Sequence, residues 1–137
     1  MTTFSAMDIA RTGVGFSHHW IDTLAHNLAN VNTAAATDGE PFRALRPVAR
    51  PLTGGPFAAT GSGVTTAAQL HDAAEPRLLH DPGHPLADDD GYVAMPAMDT
   101  GGLLVDLMIA QRSYQANVRT VDAAREAYES ALRLGGR

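Results

Sequence analysis

Residues 103–134 read LLVDLMIAQRSYQANVRTVDAAREAYESALRL, and this stretch decides the fold. Its apolar positions Leu104, Leu107, Tyr114, Val118, Val121, Tyr128 and Leu132 recur three or four apart, with the longer steps to Tyr114 and Tyr128 halved by Gln111 and Arg125. That is the spacing of one helix face, sustained for about four heptads. No Gly or Pro interrupts it before Gly135, and Ala110, Ala116, Ala123, Ala124, Ala127 and Ala131 add strong helix propensity. At a rise of ~1.5 Å per residue the helix is roughly 45 Å long. A chain of 137 residues does not need that length to close a globule. The stripe needs a cover.

The matching stripe stands at the other end of the chain. Met7, Ala10, Val14, Ser17, Ile21, Leu24, Leu28 and Val31 alternate steps of three and four, a period that favours left-handed supercoiling against another helix. Thr2, Thr3, Ser5 and Asp8 suit a helix start. Gly13 and Gly15 each cost on the order of 1 kcal/mol against alanine, so this helix forms only when packed. It ends near Asn30-Val31-Asn32-Thr33, where Asn tolerates left-handed backbone.

Between the helices the period becomes short. Asp38-Gly39 and Pro41 mark a break, and Phe42 to Val48 reads as a strand that Pro47 and Pro51 confine to an edge. Thr53-Gly54-Gly55-Pro56 and Thr60-Gly61-Ser62-Gly63 read as turns. Val64 to His71 alternates well enough to be the best strand, and Arg77 to Leu79 and Tyr92 to Met95 are two more. His80-Asp81-Pro82-Gly83-His84-Pro85 is a turn, and Asp99 or Thr100 caps the last helix. The expected fold is mainly α, with long terminal helices paired as a coiled-coil-like bundle and a small β-rich insert. Residues 1–33 and 99–137 make a discontinuous helical assembly domain, and residues 34–98 make the insert.

Composition narrows the function. Apolar residues are 45% but aromatics only 6%, which argues against a large conventional core. A net charge of −5 argues against a nucleic-acid partner. With no cysteine, thiol catalysis, disulfides and zinc-thiolate sites are excluded. No apolar run reaches the ~18 residues of a transmembrane segment, and Met1 to Asp8 is no cleavable secretion signal. On those grounds alone the protein reads as cytosolic.

Candidate chemistry is thin. His80 and His84 flank a turn with Asp81 beside them, and a metal reading takes these as ligands. The histidines stand on opposite sides of Pro82-Gly83, so an exposed turn is the better reading. His18 and His19 point about 100° apart on a helix and do not chelate together. No phosphate loop and no nucleophile elbow is present, so the sequence implies no catalytic residue, cofactor or small-molecule substrate. Asn27, Asn30 and Asn32 admit two readings. They end the helix, or their amides set register in an intermolecular seam as buried Asn does in coiled coils. Asn117, with Tyr114 and Gln115, admits the same pair.

A two-helix hairpin leaves about half of each helix wet, and large exposed apolar faces mark interaction sites. Copies of the chain or relatives would cover them best, and a heterologous contact propagates as a filament. The expected assembly interface therefore comprises Met7, Val14, Ile21, Leu24, Asn27, Leu28, Asn30 and Asn32 with Leu104, Leu107, Tyr114, Asn117, Val118, Val121, Tyr128 and Leu132.

Five segments also carry a resemblance: Phe4-Ser5-Ala6-Met7-Asp8-Ile9-Ala10, Ala29-Asn30-Val31-Asn32-Thr33, Asp81-Pro82-Gly83-His84-Pro85, Gly91-Tyr92-Val93-Ala94-Met95-Pro96 and Arg112-Ser113-Tyr114-Gln115-Ala116-Asn117-Val118. Together and in order they resemble the flagellar rod and hook axial protein family. The Asp81–Pro85 and Gly91–Pro96 pair points to its FlgC basal-body rod proteins. The sequence departs from that pattern at Ala34-Ala35-Ala36, at Pro96-Ala97-Met98-Asp99 and at Gly101-Gly102. The resemblance implies a proximal-rod subunit that transmits torque from the membrane-embedded motor ring to the hook. It implies other rod proteins and the rod base as partners. It also implies export across the inner membrane without a cleavable signal, which reverses the cytosolic reading.

Overall fold

The computed structural model describes residues 3–53 and 61–135. Helix α1 spans Thr3–Ala29 and helix α2 spans Thr100–Gly135, with strands β1 (Leu45–Pro51), β2 (Val64–His71), β3 (Arg77–His80) and β4 (Tyr92–Met95) between them. The order is the expected one: helix, small β insert, helix. The turn expected over Gly54–Pro56, together with Thr60, lies outside the described residues.

The two helices run antiparallel. Ser17 Oγ lies 3.1 Å from Ser113 Oγ, and one turn earlier Gly13 stands against the amide of Asn117. A Cβ on Gly13 would sit 2.7 Å from Asn117 Oδ1, so this glycine leaves the space that the Asn117 amide occupies in the seam. The seam is therefore built at its centre from small residues, Ala10, Gly13 and Ser17 against Ala110, Ser113 and Asn117. Ser17 and Ala110 are buried there. Large knobs flank this crossing rather than fill it.

Helix α2 has 36 residues, about 54 Å by its rise, and α1 has 27, about 40 Å. At the observed pairing of Gly13 with Asn117, the described part of α1 runs out opposite about residue 127 of α2. Residues 130–135, all exposed, lie beyond it. At its other end α2 is capped by Asp99. The Asp99 carboxylate accepts the N–H of Gly101 at 3.1 Å and of Gly102 at 2.9 Å, as an N-cap does.

β1 pairs antiparallel with β2, with a bulge between Val48 and Ala49, and β3 pairs antiparallel with β4. The first hairpin lies along α1 and is tied to it at three levels. Thr12 Oγ1 accepts the Val64 N–H at 2.9 Å, and Thr23 Oγ1 accepts Gln69 Nε2 at 3.1 Å. Asn27 Nδ2 donates to the Leu45 carbonyl at 2.8 Å, while the Leu45 N–H donates to Asn27 Oδ1 at 2.8 Å. Leu45 stands opposite His71 in the ladder. From Thr12 to Asn27 the helix climbs about 22 Å, and from Val64 to His71 the strand advances about 23 Å. The two rises match, so all three ties can be made along the length of the hairpin.

The second hairpin is organised by Asp88. Its Oδ1 accepts the N–H of Tyr92 at 2.8 Å and of Asp90 at 3.1 Å, and its Oδ2 accepts the Thr37 hydroxyl at 2.9 Å. Gly91, at φ 79°, makes the turn that an L side chain resists. Beyond β4, Ala35 and Ala94 exchange both backbone bonds, at 2.8 and 2.9 Å, which fastens the segment after α1 to the sheet. Val93, Ala94 and Met95 are buried here, and with Ala10, Leu24 and Ala110 they are the buried apolar residues among those described. Ser5, Ser17, Thr23 and Asn27 are buried among the polar residues. This core is small and rich in alanine and small polar groups, as the scarcity of aromatics implied.

Candidate assembly surface

The positions expected from the sequence to form one interface separate into three groups. Met7, Val14, Ile21 and Leu28 on α1 are half-buried, as are Leu107, Tyr114, Asn117, Val118, Val121 and Tyr128 on α2. These line the cleft between the helices or its margins. Leu24 and Asn27 are buried inside the chain, which corrects their reading as surface for a neighbour. Leu24 closes the core, and Asn27, 2% exposed, spends its amide on Leu45. Its register-setting role is intramolecular: it fixes where the insert begins along α1.

Asn30 follows the helix-ending reading. Its Nδ2 donates to the His26 carbonyl at 2.9 Å, and its Oδ1 accepts the Thr33 hydroxyl at 3.2 Å. Asn32 is exposed beyond the helix. Asn117 donates to its own helix at the Ser113 carbonyl, 3.0 Å, and reaches Ser17 Oγ at 3.5 Å, so it too works within the chain.

Leu104 and Leu132 form the third group, facing outward at 46% and 57% exposure. Leu103, not Leu104, turns toward α1, and the seam continues through Leu107, Ala110, Ser113, Asn117, Val121 and Ala124. Ala110, Ser113 and Ala124 escape a stripe traced through large apolar residues. The signal for them is the run of small residues at the same spacing on both helices. Turned outward instead are Leu104, Val105, Met108 and Ile109, one contiguous apolar face near the start of α2. Leu132 and Leu134, the latter 81% exposed, lie on the overhang at the opposite end. About 36 Å separates Met108 from Leu132 along the helix. Between α1, the start of β2 and α2 lies a groove of about 640 Å³ lined by Ile9, Phe16, Val64 and Thr120.

The turn at His80, Asp81 and His84 does not assemble a metal site. His80 packs edge-on against Tyr92 at 4.9 Å, while His84 Nδ1 accepts the Leu86 N–H at 3.1 Å. Among the described residues no three His, Asp or Glu side chains converge on one point. Nor is any described helix long and apolar enough to cross a membrane.

Residues 90–134, covering β4 and nearly all of α2, match the family model described as flagellar basal body rod FlgEFG protein C-terminal. The chain is 38% identical over 135 residues to the flagellar basal-body rod protein FlgC of Escherichia coli O6:H1, covering 98% of this chain and 99% of that protein. The FlgC proteins of Salmonella typhimurium and Borreliella burgdorferi are 36% and 30% identical, each over 98% of this chain.

The chain belongs to the FlgC family of flagellar basal-body rod proteins. It is a structural subunit of the basal-body rod of the bacterial flagellum, and the basal body is where it resides. In this FlgC-family chain the segment matching the rod model includes the outward apolar residues Leu104, Val105, Met108 and Ile109 of α2.

Proposed function

We propose that this chain is a proximal-rod subunit that assembles through the outward faces of its terminal helices and transmits torque from the motor ring toward the hook. The single observation that carries the reading is the open surface of α2. Leu104, Val105, Met108 and Ile109 at one end and Leu132 and Leu134 at the other stay exposed after the chain has folded. Apolar patches at opposite ends of one rigid helix suit a heterologous contact, which repeats without closing.

In this proposal residues 1–33 and 99–137 are the assembling body, and residues 34–98 are an insert braced on α1 by Thr12, Thr23 and Asn27. The brace matters mechanically, because torque crosses a subunit only if its parts turn together. The partners are other rod proteins and the base of the rod, and the chain acts by contact rather than by catalysis, with no cofactor. It reaches the rod by export across the inner membrane. A small core and the absence of cysteine make unfolding for that passage inexpensive.

The test is a chain carrying Met108→Asp and Leu132→Asp. Both positions are exposed, so helicity and melting of the isolated protein stay unchanged while rod incorporation and swimming are lost. Normal swimming of the double variant would overturn the proposal.

A further inference from the structure

Strand edges are sites of unwanted pairing unless they are guarded, and the strands of this insert are guarded unequally. In an antiparallel pair, successive residues turn their backbone groups alternately toward the partner and away from it. Leu45 bonds Asn27 on the outer side of β1, so residues 45, 47, 49 and 51 face outward there. Pro47 and Pro51 supply no N–H at two of these positions, and Asn27 occupies a third. The outer edge of β4 is held by Ala35. Between Pro76 and Pro82, β3 has no such guard among the described residues. Asp81 bonds Gly91 on the inner side, so Leu78 and His80 turn their N–H and C=O groups outward. Leu78 and Leu79 are 59% and 42% exposed.

We infer that the outer edge of β3 is a self-complementary pairing site for a second copy of this chain. The register follows from the residues. With Leu79 opposite Leu79 of the second copy, Leu78 exchanges both backbone bonds with His80 of the other strand, and the reverse. On the Leu79 face, Arg77 then stands across from Asp81 of the second copy, once on each side of the leucine pair. Opposite charges in directly facing positions favour that arrangement. Pro76 and Pro82 fall opposite one another and end the ladder at both sides. A slip of the pairing in one sense sets Glu75 against Asp81 and faces Pro76, which has no N–H, with His80. In the other sense it faces Leu78 with Pro82. Only the first register satisfies backbone and charge together.

This contact is two-fold and closes on two copies. It belongs to the free chain and is independent of the helix faces assigned to the rod. Pairing would shield the leucines of an otherwise bare edge before assembly.

The chain has no cysteine, so single thiols report cleanly. Residues facing across a non-hydrogen-bonded antiparallel pair lie about 4.5 Å apart at Cα, within the range a disulfide spans. Under mild oxidation at high protein concentration, Leu79→Cys should cross-link to a dimer roughly tenfold faster than Leu78→Cys or the remote Ser130→Cys. A mixture of Arg77→Cys and Asp81→Cys chains should join to each other, while neither joins to itself. This mixture keeps the test intact if Leu79→Cys disturbs the fold. In the unsubstituted chain, sedimentation should show a monomer–dimer equilibrium that Arg77→Glu weakens and added Asp81→Arg restores. Equal rates at residues 78, 79 and 130, self-joining of the Arg77→Cys chain, or a monomer at every concentration would each overturn the inference.

Discussion

Asn27→Ala is the substitution whose cost can be worked out most fully from the structure. The side chain is 2% exposed and makes two bonds of 2.8 Å with the backbone of Leu45. Each such bond contributes ~1 kcal/mol net, and stranding the Leu45 N–H and C=O without partners adds ~1 kcal/mol or more. The expected loss is about 2–4 kcal/mol. For a urea slope on the order of 2 kcal/mol per molar, the unfolding midpoint falls by about 1–2 M. Circular dichroism during urea titration measures the total, and amide exchange at Leu45 locates it. The Leu45 N–H should lose its protection while α2 keeps its own up to the new global limit. A loss under ~0.5 kcal/mol with Leu45 still protected would refute the view that this amide fastens the insert to α1.

The two glycines of α1 should respond in opposite directions. Gly15 has open space where a methyl group would stand, so Gly15→Ala should stabilise by about 0.5–1 kcal/mol in thermal melting. Gly13→Ala should instead destabilise by about 1–2 kcal/mol, because its methyl meets the Asn117 amide and overpacks the seam. Asp99→Ala should cost ~1 kcal/mol through loss of the α2 cap. The Asp88 carboxylate is held below its ordinary 3.8, chiefly by the Tyr92 N–H, which outweighs an opposing desolvation, while Thr37, Asp90 and Gly91 add smaller pulls in the same direction as Tyr92. A depressed carboxylate stabilises the fold above the unfolded value and loses that contribution as pH falls through the folded one. The Tyr92 amide resonance should therefore shift with a midpoint below 3.8, and Asp88→Asn should abolish that transition.

The elements were legible because each carries a period of its own. The α2 stripe, the alternation in Val64–His71 and the prolines of β1 place helix, strand and edge with little help from tertiary context. The face of α2 was less legible. Leu103 and Leu104 are adjacent and chemically equal, and only packing against α1 decides which of them turns inward. The centre of the seam was hidden for a related reason. Gly13 looks like a weak point in a helix until Asn117 is seen packed against it. Asn27 is the instructive case. Its polarity admitted a register device in an intermolecular seam, but its partner, Leu45, lies 18 residues away in the insert of the same chain, and no local pattern points there.

Amide exchange of the chain alone and after co-assembly with other rod proteins tests the central claim most directly. Protection should rise at Leu104, Val105, Met108 and Ile109 and at residues 130–135, the surfaces that the folded chain leaves bare, while the seam around Ala110 and Ser113, already covered by α1, changes little. Rods that form with Leu104, Val105, Met108, Ile109 and residues 130–135 exchanging as fast as in the free chain would contradict it.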